Sequence, residues 1–192
     1  MSTRIAIFAS GSGTNAENII RYFKNSNDIS IVLILTNNPA AGVIEKADKL
    51  GVPYLIFSKE DLASENKLIK YLQNEKIDWI ILAGFLWLVP ATILKAYQNR
   101  IINIHPALLP NFGGKGFYGD KVHKAVISSG LPLSGISIHY VNEKFDEGQI
   151  IFQAACHVSN KETVESLSSK IHALEYKYFP VVIEKIIRSA VK

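Results

Sequence analysis

The sequence predicts an α/β fold: an open, mostly parallel seven-stranded sheet with helices on both faces and antiparallel strands in its carboxy-terminal part. Three observations carry the prediction. Short β-branched runs are apolar at every position, segments of helical period separate them, and glycine, proline or asparagine marks most of the switches. A strand that is apolar on both faces must be covered on both, and the intervening helices supply the covers.

The elements follow in order. Residues 4–9 read as the first strand, 15–25 as a helix and 30–36 as the second strand. Residues 40–50 form a helix closed by Gly51, and "VPYLIF" follows as a strand. Residues 61–75 read as one helix and 78–84 as a central strand. Pro90 opens a short helix ending near Tyr97, and "RIINIH" is the next strand. The glycine-rich "NFGGKGFYGDK" reads as a loop, with a helix over 123–129. "SGISIHYV" and "QIIFQAACHV" are strands joined by "NEKFDEGQ", which is too short to hold a crossover helix, so the pair is antiparallel. Residues 163–191 are helical in pattern, with Pro180 expected to divide them or to begin a new turn. No linker or repeat interrupts the chain, so a single domain over residues 1–192 is expected.

Composition narrows the function. The formal charge is +4, from 21 basic and 17 acidic residues, which favours small anions as ligands. No dense Lys/Arg patch interleaved with aromatics supports nucleic acid as a partner. Cys156 is the single cysteine, which excludes an internal disulfide framework and a cysteine-rich metal site. Histidines and carboxylates are dispersed, so no metal is expected. No apolar run reaches membrane-span length, and the first apolar stretch is too short for a secretory signal. A cytoplasmic protein with no membrane partner is the expectation.

Two motifs carry chemistry. In "SGSGTN" (10–15), Gly11 and Gly13 lie between the first strand and the first helix, where backbone N–H groups can converge on an anion. The loop lacks the GK[ST] ending of a Walker A motif, and Ala16 stands where a third dinucleotide-fold glycine would fall. A tight βα turn with a capping Thr or Asn is the plainer reading. In "NIHPALLP" (103–110), Asn103 and His105 share one face of an extended strand while Ile102 and Ile104 take the other. Pro106 helps end the strand. Both polar residues reach a cleft, or both are capping groups with backbone partners; the motif alone leaves the two readings open. Asp146, in the turn between the last two strands, is the third candidate. An amide donor, an imidazole and a carboxylate suit acyl transfer to an external amine: the amide and imidazole stabilise charge on oxygen, and the carboxylate holds the imidazole cationic. No "GxSxG" elbow is present and Cys156 lies in an apolar run, so no covalent nucleophile is evident.

These motifs, with "ILAGFLWLV", "SGISIHYVNEKFDEGQII" and "IHALEYKYFP", resemble the folate-dependent formyltransferases over nearly the whole chain. The glycine loop and the short length resemble the glycinamide ribonucleotide branch. That resemblance implies transfer of a formyl group from 10-formyltetrahydrofolate, a reduced folate co-substrate, to the amine of glycinamide ribonucleotide in purine synthesis. It implies Asn103, His105 and Asp146 as the catalytic group. It implies Gly13, Thr14 and Asn15 around the substrate phosphate and Glu175 on the ribose hydroxyls, with His172 one helical turn away facing the same ligand. It implies Phe85, Leu86, Trp87 and Leu88, with Val141, Asn142 and Lys144, around the pterin. A monomer or weak homodimer is expected. The competing readings are formyl transfer to another amine, hydrolysis of the formylfolate, and a phosphoribosyl-ligand binding protein without turnover.

Two departures stand out. Trp87 occupies a position where bacterial members of the family carry arginine. The loop after Pro110 is several residues longer than the commoner form, which makes Lys115 and Tyr118 further candidates for substrate contact. His139 alternates onto one face of its strand, either as a satisfied strand histidine or as a partner to the site.

Overall fold

A computed structural model describes residues 2–64 and 67–190. Its elements are β1 (Thr3–Phe8), α1 (Thr14–Phe23), β2 (Ile29–Thr36), α2 (Gly42–Leu50), β3 (Tyr54–Ile56), α3 (Lys59–Ala63), α4 (Lys67–Asn74), β4 (Trp79–Leu82), α5 (Ala91–Ala96), β5 (Ile101–His105), α6 (Asp120–Ser129), β6 (Leu133–Tyr140), β7 (Ile150–His157) and α7 (Val164–Ala190). The seven strands form one sheet in the order β3-β2-β1-β4-β5-β6-β7. The β1, β2, β3, β4 and β5 pairings are parallel, and β6 runs antiparallel to both β5 and β7. The expected fold class is the observed one.

The strand pattern explains the two layers. In β1, Ile5 and Ile7 face one core while Ala6 and Phe8 face the other, and β4 divides Trp79 and Ile81 from Ile80 and Leu82 in the same way. Helices α1, α2, α6 and α7 cover the first face; α3, α4 and α5 cover the second. From β5 onward the second face turns polar. Ile102 and Ile104 still enter the first core, as do Ile136 and Ile138 of β6. On the other face Asn103 pairs in register with His139, and His105 with Ser137. Apolar helices cover the second face up to β5, and loops take over beyond it. That change of cover is what creates the cleft.

Three elements depart from expectation. The single helix expected over 61–75 is two: α3 starts earlier, on a reciprocal cap in which Ser58 Oγ accepts the Asp61 N–H and the Asp61 carboxylate accepts the Ser58 N–H, and it ends at Ser64 in extended backbone. Residues 65 and 66 lie outside the described residues. Nor does Pro180 divide the last helix, because α7 runs through it to Ala190; residue 191 of the expected span lies outside the described residues. Proline cannot donate to the Tyr176 carbonyl four residues back. The Asn18 side chain, from α1, donates to that carbonyl at 2.9 Å and replaces the lost bond. The 123–129 helix begins three residues early, at Asp120, and therefore buries His123 within α6.

Candidate functional site

A cleft of about 570 Å³ opens at the carboxyl ends of β1, β4 and β5. Open α/β sheets commonly bind ligands at this edge. Ser10 ties the edge together. Its hydroxyl donates to Asn37 Oδ1 at 2.6 Å and accepts the Leu86 N–H at 3.1 Å, while its own N–H bonds Gly84 O. The glycine turn, the start of "FLWLV" and the end of β2 are thereby fixed to one another.

At one end of the cleft lies the glycine turn. Gly13 is the N-cap of α1, in left-handed backbone (φ 73°), and no side chain caps the helix. The expected Thr or Asn cap is absent, because Thr14 and Asn15 are already helical. The first helical bond runs from Glu17 N–H to Gly13 O, which leaves the first-turn N–H groups directed at the cleft end. A Cβ at Gly13 would stand 2.6 Å from the Val43 backbone of α2, so glycine is required for packing as well as for φ.

Asn15 turns back to α7, donating through Nδ2 to Glu175 Oε2 at 2.8 Å; its own Oδ1 is buried without a partner. Glu175 is 6% exposed. Burial, only partly offset by the Asn15 bond, pushes its carboxyl up to about 7. His172 and His123 line the same wall. His123 is buried with Nδ1 unpartnered; burial, reinforced by His172, holds it below the ordinary histidine range.

Asn103, His105 and Asp146 meet at the other end, joined by His139. Asn103 Nδ2 lies 3.1 Å from His139 Nε2 and 3.4 Å from Asp146 Oδ1. His139 Nδ1 lies 2.8 Å from the Tyr140 carbonyl, which can only accept, so Nδ1 bears a proton, while Nε2 lies between Asn103 Nδ2 and Asp146 Oδ1, 3.7 Å from the latter. By the same logic His105 carries its proton on Nε2, 2.8 Å from Phe112 O, and turns Nδ1 toward Asp146 Oδ2 at 3.5 Å. Asp146 also accepts the Gly114 N–H at 3.0 Å. Burial raises the Asp146 carboxyl, but His139, His105 and the Gly114 N–H together outweigh it and hold the group below the usual carboxylate range. For His105 the balance falls the other way. Burial lowers it more than Asp146 and the Phe112 carbonyl raise it, so the neutral ring is favoured. The carboxylate opposes this loss of charge without reversing it.

The "HPALLP" segment is held over the polar face by Ser137 and Gln153. Ser137 Oγ donates to Ala107 O at 2.7 Å and accepts the Leu109 N–H at 2.9 Å. Gln153 Nε2 lies 2.7 Å from Ser137 Oγ and 3.1 Å from Leu109 O.

Of the residues named from sequence, the cleft is lined by Gly13, Thr14, Asn15, Phe85, Leu86, Asn103, His105, Asp146, His172 and Glu175, with Lys115 and Tyr118. Trp87 stands behind the wall, edge-on to Phe57 and Phe85, with Lys59 above its ring. Leu88 is exposed, and Val141 packs on the second core. Asn142 accepts the Lys144 N–H, and Lys144 pairs with Glu147 on the surface. Sequence reasoning left His139 outside the core of the site; its in-register pairing with Asn103 was the signal that could have found it. Among the described residues no group of three or more His, Cys, Asp or Glu side chains is arranged to hold a metal, and no helix is long and apolar enough to cross a membrane.

The profile of the family described as formyl transferase matches residues 3–183. A chloroplastic phosphoribosylglycinamide formyltransferase of Arabidopsis thaliana is 40% identical over 98% of this chain and 67% of its own length. The phosphoribosylglycinamide formyltransferase of Bacillus subtilis is 37% identical over 96% of this chain and 94% of its own. The crystal structure of the Bacillus halodurans phosphoribosylglycinamide formyltransferase superposes with a TM-score of 0.88 at 37% identity, covering 98% of this chain and 97% of that one.

Proposed function

The chain belongs to the formyl transferase family, and from that premise we infer that it moves the formyl group of 10-formyltetrahydrofolate to the amine of glycinamide ribonucleotide, giving the N-formyl product and tetrahydrofolate in purine synthesis. One observation carries the assignment to this cleft. The uncapped helix end at Gly13 and the Asn103–His105–Asp146 cluster line the same cavity, with Glu175 on the wall between α1 and α7. A phosphorylated amine held by its phosphate at the first can present its nitrogen to the second.

The chemistry follows from the partners each group retains. The amine forms a C–N bond to the formyl carbon, charge develops on the formyl oxygen, and the bond to the folate nitrogen then breaks. One proton leaves the amine and one reaches the departing folate nitrogen. The Asn103 contact to Asp146, at 3.4 Å, is the longer of its two amide contacts and the one the formyl oxygen displaces. His105 Nδ1, free of a proton and facing Asp146, is suited to take the proton from the amine and pass it on. Phe85 and Leu86 supply the apolar wall for the pterin, with Trp87 supporting it from behind. Glu175 and Asn15 meet the ribose hydroxyls, and His172 borders the phosphate end.

The same reading takes residues 1–192 as one formyltransferase domain, cytoplasmic, and a monomer or weak homodimer; fractionation and light scattering test the last two. The decisive assay offers glycinamide ribonucleotide, methionyl-tRNA and water as acceptors for the same formylfolate. Rapid transfer to glycinamide ribonucleotide alone is expected. Preferential formylation of methionyl-tRNA, loss of formyl to water, or ribonucleotide binding without turnover overturns the reading.

A further inference from the structure

We propose that Gly113 is a positioning residue for the reaction: by carrying no side chain it lets the backbone on either side of it grip both His105 and Asp146. The inference rests on the formyl-transfer reading of the cleft. Its observations are geometric. The Phe112 carbonyl lies 2.8 Å from His105 Nε2, and the Gly114 N–H donates to Asp146 Oδ2 at 3.0 Å. Two consecutive peptide units thus hold the outward-facing atoms of both side chains, and Gly113 is the hinge between them. A Cβ on Gly113 would stand 2.5 Å from Leu109 Cδ2 and 3.3 Å from Asp146 Cβ. The first is relieved by turning a terminal methyl, whereas the second asks the Asp146 Cβ, which carries the carboxylate, to give by a few tenths of an ångström.

The grip is tightened from both sides. Phe112 and Asp146 are both non-glycine residues in left-handed backbone, at φ 56° and 57°. Such conformations persist only where the surroundings enforce them, and they gather at working sites. Ser137 and Gln153 hold the Leu109 backbone, so relief of that contact falls to its buried side chain. The loop therefore sets which ring nitrogen of His105 bears the proton. With Nε2–H held by Phe112 O, Nδ1 is left as the lone pair facing Asp146.

His105 is faced by Asp146 from the loop after β6, by His139 from β6 and by His123 from α6. The Phe112 carbonyl favours its protonated form, and the Gly114 N–H favours ionised Asp146. Loosening the loop moves the two titrations toward each other, His105 to lower pH and Asp146 to higher.

The test is Gly113→Ala, with Gly51→Ala, a remote left-handed glycine, as the control for strain alone. We expect Gly113→Ala to lower kcat by roughly 10- to 100-fold, in line with misplacement of a catalytic group by about 1 Å. KM for the ribonucleotide should change by less than about threefold, since the phosphate end is untouched. The His105 limb of the pH profile should move down and the Asp146 limb up. The double variant Gly113→Ala/Leu109→Val, which removes the clashing methyl, should recover most of the rate and the original profile; it also carries the test if the single variant folds poorly. NMR of labelled histidine should show His105 losing its fixed Nε2–H tautomer in Gly113→Ala. That measurement needs no turnover, so it judges the loop even if the wild type fails to transfer formyl groups. An unchanged tautomer, an unmoved pH profile, or a double variant no better than the single overturns the proposal.

Discussion

At the glycine turn the cleft is lined by backbone N–H groups without a cap, whereas at the end of β5 it is lined by side chains that have largely found one another. Gly13 leaves the first turn of α1 open. Asn103, His139 and Asp146 form a closed ring of contacts between 3.1 and 3.7 Å, and His105 joins it through Asp146 at 3.5 Å, with backbone groups at its edges. The first arrangement favours binding, because an arriving anion meets donors that have given up only water. The second favours reaction, because dipoles already oriented need no rearrangement when charge appears. One cleft therefore separates affinity from turnover along its length, and variants at the two ends should fail in different ways.

The largest effect belongs to the reacting end. Asn103→Ala should lower kcat by roughly 10²–10³-fold while leaving the ribonucleotide dissociation constant nearly unchanged. Asp146→Ala should act similarly, and the double variant should lose less than the product of the two, because they share a contact. Single-turnover kinetics with direct binding checks both; equal losses in binding and rate would erase the contrast between the ends.

Next comes Glu175, between the two ends. Its folded carboxyl titrates near 7, above the unfolded value of 4.5, so the folded state holds the extra proton between those pH values. The Glu175 contribution to stability should therefore fall as pH rises from about 4.5 to about 7, against an opposite contribution from His105 and His123, whose lowered values add stability with rising pH. Glu175→Gln should flatten that dependence and make the protein more stable at pH 8, by a few kcal/mol at most. Denaturant melts of wild type and Glu175→Gln across pH isolate it, and a stability difference between the two that stays constant through this window refutes it.

A smaller effect is expected at the binding end. Gly13→Ala meets Val43 and an unfavourable φ, which should displace the first-turn N–H groups. Loss of charge-assisted bonds worth about 1.5–3 kcal/mol predicts roughly 10- to 100-fold weaker ribonucleotide binding, with kcat at saturation far less affected. Calorimetry against the dephosphorylated analogue should show the wild-type preference for phosphate largely gone.

The smallest belongs to Trp87→Ala. The ring supports Phe85 from outside the cleft, so KM for the formylfolate should rise only several-fold, a change on the order of 1 kcal/mol. An effect of a hundredfold would mean that Trp87 meets the folate directly.

Much of this was readable in the chain because the governing interactions are local or periodic. Runs apolar at every position identify strands buried on both faces, and Asn103 with His105 falls on one face by simple alternation. What escaped depends on distant partners. Pro180 looks like a helix breaker until Asn18, far away in sequence, is seen on the Tyr176 carbonyl. The early start of α3 escaped because the Ser58–Asp61 cap sets it before the apolar period becomes visible. His139 joined the cluster through strand register, which no single segment encodes. The favoured charge of His105 reflects how deeply it is enclosed, whereas the sequence announces only that a carboxylate is near.

The Asn18–Tyr176 contact also makes one side-chain amide a joint between two helices that lie far apart in the chain. A helix carrying any other residue at 180 satisfies the Tyr176 carbonyl by itself, and residue 18 is then free to vary. With proline at 180, Asn18 donates in place of the missing backbone N–H, at an exposed carbonyl that water can also reach. Asn18→Ala should therefore loosen the joint between α1 and α7 by about 1 kcal/mol or less.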